Sequence, residues 1–284
     1  MIEPSGTRAD AEQATRLEGA PSLPVRIGND IVDLRHPRCR DRGARDRLPG
    51  RVLVEAERRW MEAGSDSVRR LRRLWALWAA KETAFKIRSK RARAPGAFLH
   101  RTFVAELEEE DAPYAGAVRM RGRVRGPGLC EPVEVDGWAS KGYLHLVGWD
   151  GPLDDFRLYT GLEGEEFAAS GAGAEGAGSG GRTEDSLEEL KGRFTKSEWE
   201  GVYSLPSARV RLLARERIAA HLSLLPEMNE AGGRVELLTS GTRPGRTPPR
   251  IRIGGRDRPD LDVSLSHHGR FVAWAILLPH PRRS

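Results

Sequence analysis

Three short segments combine residue types that could do chemistry. The first, IGNDIVDL (27–34), alternates like a strand, so Asp30 shares a face with Val32 and Leu34 while Asp33 points the other way. A carboxylate on an apolar face is costly unless it is paired or bound to a cation. The plainer reading is an aspartate closing a turn or capping a helix. The second, LRRLWALWAAKETAFKIRSK (71–90), is built of strong helix formers, and Trp75, Trp78, Glu82 and Phe85 fall on one face of that helix. Lys86 follows Glu82 by one turn. An ordinary surface pair of this kind contributes only about 0.3–0.5 kcal/mol, but the flanking tryptophans bury this edge. A buried carboxylate beside a lysine suits a hard divalent cation together with an anionic substrate. The third, DVSLSHHGRFVAWAIL (262–277), reads as a hairpin with Ser266, His267, His268 and Gly269 at its mouth. Hydroxyl, imidazole and backbone N–H groups there can hold a phosphate, or the histidines simply occupy a turn.

The elements that must position these residues read as two similar halves. Residues 1–24 lack an apolar period and are expected to be a disordered leader. SGAGAEGAGSGG (170–181), with six glycines in twelve residues, is expected to act as a flexible linker spanning about 20 Å. It lies in a Gly/Ala/Ser-rich segment, 166–186, between a first half, 25–165, and a second, 187–284. Each half runs through a short helical stretch, a long helical pattern (68–87 and 208–225) and then several strands. GYLHLVGW (142–149) and GRFVAWAI (269–276) occupy corresponding places. An α+β fold duplicated about a pseudo-twofold axis is expected.

Composition narrows the function classes. The 284 residues are 38% hydrophobic and 31% charged, and the uncharged run FVAWAILL (271–278) is far too short for a bilayer span. The N-terminal residues have no apolar core of a signal peptide, and two cysteines make no disulfide framework. A cytoplasmic protein without membrane association is expected. The net charge of +6 favours an acidic partner. Only six of the cations are lysines, and three of those, Lys81, Lys86 and Lys90, fall within ten residues. Lysine can shift its pKa where arginine effectively cannot.

In combination and in this order, the segments resemble the 4′-phosphopantetheinyl transferase superfamily. IGNDIVDL is similar to its GxD motif, WAAKETAFK (78–86) to its W-x-x-K-E-[AS]-x-x-K motif, and VSLSHH to its SxSH strand. The motif order is that of the small holo-acyl-carrier-protein synthases, whereas the length is that of the larger type, in which two halves form a pseudodimer. In that larger type the SxSH half comes first; here it comes last. The first half carries the acids but has ASKG (139–142) where the second has SHHG. The second has no KE pair in its helix RLLARERIAAHLSLL (211–225). A site across the interface between the halves follows, with one chain supplying both and a monomer expected.

The resemblance implies transfer of 4′-phosphopantetheine from coenzyme A to a serine of an acidic acyl or peptidyl carrier protein, releasing 3′,5′-ADP. It implies Mg²⁺, with Mn²⁺ as an alternative, held by Asp30 and Glu82. Glu82, directly or through a bound water, would be the base, and Lys86 would neutralise charge on the transferring group. Lys81 is expected at a phosphate or orienting Glu82. Ser266, His267 and one of Arg243 and Arg246 are expected to bind coenzyme A. Three departures stand out: Asn29 replaces the usual Ile or Val, Val32 replaces a second acid, and His268 replaces Ser or Thr. Two protein ligands to the metal, rather than three, are therefore expected.

Three other readings compete. A nucleic-acid-binding protein would fit the charge, but no motif for one is present and none is expected to bind. An inactive transferase-fold scaffold conflicts with the intact Asp30, Glu82 and Lys86. A metal-dependent phosphoesterase would hydrolyse coenzyme A without any carrier.

Overall fold

The structure is a computed structural model, and it describes residues 25–43, 47–92, 98–111, 116–164, 186–223, 233–240 and 247–280. The expected leader and nearly all of the glycine-rich segment lie outside these residues, as do Arg243 and Arg246.

The fold mixes helix and sheet, as expected for an α+β chain. A five-stranded antiparallel sheet, in the order β1-β5-β4-β3-β2, is formed by β1 (Ile27–Asp33), β2 (Val104–Asp111), β3 (Val118–Arg125), β4 (Val133–Ala139) and β5 (Tyr143–Trp149). Between β1 and β2 run short helices α1 (Pro37–Gly43), α2 (Arg47–Val52) and α3 (Glu55–Glu62), then the 25-residue α4 (Ser67–Arg91) and a 3-10 turn (His100–Thr102). Strong helix formers fill α4, the Asp66 side chain accepts from Arg69 N at 2.8 Å at its start, and Arg88, Lys90 and Arg91 sit in its last turn. Each suits the helix end it occupies. Leu74, Leu77, Ala84 and Ile87 of α4 pack on Met120, Val135 and Leu146 of the sheet to form the larger core.

The second sheet has the order β10-β11-β6, from β6 (Phe156–Gly164), β10 (Asp262–His268) and β11 (Phe271–Pro279). Helices α5 (Leu187–Lys191) and α6 (Lys196–Trp199) precede α7 (Leu205–Ser223). Helix α7 packs Val210, Ala214 and Ile218 against Val263, Trp274 and Ile276. A small sheet, β7 (Val235–Leu238), β8 (Arg250–Ile253) and β9 (Arg256–Asp257), completes this half. The order β6-β11-β10 repeats β1-β5-β4, and ASKG and SHHG both lie at strand-to-strand turns, of β4–β5 and β10–β11. Strand β6 lies within the span 25–165 that the sequence assigns to the first half, yet it pairs along its whole length with β11. Its partner lies more than a hundred residues away, which no local pattern signals.

The halves meet along the free edge of β1. One edge of this strand pairs with β5. On the other, the amides of Ile27, Asn29, Ile31 and Asp33 donate to Asp262 Oδ2, Ser264 Oγ, Ser266 Oγ and His268 Nδ1, at 2.8–3.1 Å and a constant offset of 235 residues. Side chains of a parallel neighbour thus do what a strand's carbonyls do in a ladder. Lys90 at the end of α4 fastens the start of this joint, donating to Ile27 O, Val263 O and Asp262 Oδ1. Removing the hydroxyl in Ser264→Ala leaves the buried Asn29 amide without its acceptor. It should lower the unfolding free energy by about 1–3 kcal/mol, measured by urea titration, without touching Asp30.

Candidate functional site

Glycine at position 28 lets β1 lie directly on α4. A Cβ there would come within 2.3 Å of Thr83 O. This close approach sets Asp30 beside the face of α4 that carries Glu82 and Lys86. Lys86 Nζ donates to Asn29 O at 2.6 Å and to Asp30 Oδ1 at 3.1 Å, so its carboxylate partner is Asp30 rather than Glu82. Ser266 donates to the same Asp30 oxygen at 2.9 Å while accepting from Ile31 N. A cleft of about 350 Å³ brings Asp30 and Glu82 together with Arg38, Trp78, His267 and His268. Carboxylates of β1 and α4 and imidazoles of β10 therefore line one cavity.

Glu82 is the electrostatically strained member. Burial pushes its carboxyl up, the nearby Asp30 charge adds to this, and Lys86 only partly opposes it, leaving it at about 7. Two facing carboxylates, one of them under-compensated, fit a divalent cation between them. Among the described residues there is no cluster of three or more His, Cys, Asp or Glu placed for a metal. Two carboxylates with open positions suit Mg²⁺, which keeps waters and substrate phosphate oxygens in its shell.

The other expected site residues divide. His267 reaches the cleft, and its Nε2 lies 2.8 Å from Tyr203 Oη. Ser266 is 7% exposed, and its hydroxyl is committed to Asp30 and to the β1 amide rather than to a phosphate. Lys81 is corrected outright. It is fully buried, with Nζ on Glu57 Oε2 at 2.6 Å and Val52 O at 2.7 Å, and offers nothing to coenzyme A. Glu57 also accepts from Val54 N and Ala105 N, so this buried pair ties α3 and β2 to α4. The helix period carried the warning: adjacent residues 81 and 82 lie about 100° apart, and Lys81 shares its face with the buried Leu74, Leu77 and Ala84.

Sequence reasoning missed the clamp at the mouth. Arg270 grips Asp33 through Nε and Nη2 at 3.0 and 2.9 Å. Burial pushes the Asp33 carboxyl up, but hydrogen bonds from Arg270 and from the Arg270 and Arg35 amides outweigh it and hold the group below its usual range. Gly269, at φ +56°, turns the chain here, and a Cβ on it would meet Asp33 Oδ2 at 2.4 Å. The Gly-Arg pair after SHH was the available signal. His100 and Tyr203, discussed below, gave none. A larger cleft of about 530 Å³ lies at the other end of β10. Its Lys90, Arg250 and Arg258 already face Asp262, Asp257 and Asp260, which argues against it as the anion site.

The raised Glu82 carboxyl has a measurable consequence. Between pH 4.5 and about 7 the folded chain holds a proton that the unfolded chain has released. This contribution to stability is therefore full below pH 4.5 and is lost as pH rises through 7. Glu82→Gln should melt above the wild type at pH 8, by roughly 2–4 °C for each kcal/mol relieved. The difference should close toward pH 4.5 in thermal melts.

No curated protein and no solved structure matches this chain. No described helix is long and apolar enough to cross a membrane. Residues 26–116, which carry Asp30, Lys81, Glu82 and Lys86, match the family model of the 4′-phosphopantetheinyl transferase superfamily.

Proposed function

We propose that this chain transfers 4′-phosphopantetheine from coenzyme A to a serine hydroxyl of an apo carrier protein, releasing 3′,5′-ADP. The observation that carries the reading is the shared cleft, in which Asp30 and Glu82 of the matched segment face His267 from the other half. The serine oxygen attacks the β-phosphorus of coenzyme A. The bond from that phosphorus to the bridging oxygen breaks, and the bridging oxygen leaves on 3′,5′-ADP. Glu82 takes the serine proton, directly or through a bound water. Asp30 and Glu82 would hold Mg²⁺, which would supply charge neutralisation at the pyrophosphate. Lys86 stands beside Asp30 and adds a second cation toward the same oxygens. His267, oriented by Tyr203, meets a phosphate of coenzyme A from the second half.

The repeated strand order supports reading the halves as a pseudodimer within one chain, with the crossing from one half to the other between β5 and β6 and the Gly-rich segment after it, inside the second half. The excess of positive charge would draw in an acidic carrier. Holo-acyl-carrier-protein synthase activity, on fatty-acid, polyketide or peptide carriers, falls within this proposal.

Intact-mass spectrometry of apo carriers incubated with the chain, coenzyme A and Mg²⁺ tests it. One phosphopantetheine should be added to the carrier serine, and EDTA should prevent it. Glu82→Gln should slow the transfer by about 100-fold or more. Coenzyme A hydrolysis without a carrier adduct would instead establish a phosphoesterase. His267→Ala should weaken coenzyme A binding by about tenfold, the loss of one charge-assisted hydrogen bond. An unchanged dissociation constant by calorimetry would remove His267 from the site.

A further inference from the structure

His100 lies behind the cleft wall, in the 3-10 turn that follows α4. Its ring packs at a tilt against both Trp78 and Phe98, with centroids 4.1 and 3.9 Å away. Nε2 is buried, has no hydrogen-bond partner among the described residues, and stands 3.9 Å from Glu82 Oε1. An orphaned polar atom in such a place is costly, and two aromatic rings keep it from turning away. The gap to Glu82 is about an ångström too long for a hydrogen bond, a distance of the order that a side-chain torsion can cover. Catalytic hydrogen bonds are commonly long before substrate is bound.

We propose that His100 is a positioning residue for Glu82, carrying its proton on Nε2 and donating it as a hydrogen bond to Oε1 so that the carboxylate keeps one rotation in the cleft. Its role in turnover rests on the transferase reading; its tautomer does not. No proton is transferred and no charge changes on the ring. Trp78, one turn before Glu82, then serves as the backing that aims the imidazole, which gives the tryptophan of the helix a task beyond filling the core.

Two substitutions separate the nitrogen from the ring. His100→Phe keeps the ring packing and loses the donor; His100→Gln keeps a donor and loses the ring packing. The expected result is a fall in kcat of about tenfold or more in His100→Phe, with the KM for coenzyme A changed by less than about twofold. His100→Gln should recover most of the rate. Two-bond ¹H–¹⁵N spectra of the histidine-labelled wild type, assigned by loss of a signal in His100→Gln, should show the Nε2–H tautomer at neutral pH. Full kcat in His100→Phe, or the Nδ1–H tautomer in the spectra, overturns the proposal. If the wild type modifies no carrier, the transferase reading has failed, and the spectra alone decide the role of His100.

Discussion

The free edge of β1 is the constraint on which the rest of the molecule depends. A strand with one unpaired edge must either meet water or find acceptors. Here the acceptors are side chains taken two by two along β10, so the joint has a register as definite as that of a sheet. Because alternate residues of a strand point to opposite sides, committing residues 262, 264, 266 and 268 to β1 sends the His267 side chain the other way, to Tyr203, and both it and His268 line the cleft with Glu82. The position of the His267 imidazole follows from the bonds made by its neighbours.

The electrostatics divide the same way. Asp30 is satisfied on two sides, by Lys86 and by the Ser266 hydroxyl. Glu82 has burial and a like charge against it, which Lys86 only partly opposes. The fold therefore stabilises one carboxylate of the pair and leaves the other exposed to repulsion. Such a local cost is typical of a site held ready for something it does not itself contain.

Much of this was legible in the residues because the informative patterns are short. Alternation put Asp30 and Asp33 on opposite sides, and the helical period put Glu82 on the tryptophan face. The mixed helix and sheet composition followed from the same periods. Lys81 was misassigned because it adjoins Glu82 in the chain, whereas a helix separates neighbours and joins residues three or four apart. Ser266 drew attention as a polar residue at a hairpin mouth, but its partners lie in β1, some 235 positions earlier, and no spacing rule reports such a pairing. The same holds for β6, which crosses to β11. Asn29, noted only as a departure, is fully buried with its Nδ2 3.3 Å from His145 Nε2, a polar pair that only the tertiary packing creates.

The bare α-carbon of Gly28 has a consequence for the spacing of the two carboxylates. The gap between Asp30 and Glu82 is fixed by how near β1 and α4 can lie, and that distance is limited by contact between the Gly28 backbone and Thr83 O. Any side chain at position 28 would act as a spacer, parting the two carboxylates without altering either. The spacing of the two carboxylates is thus written at a residue that touches neither.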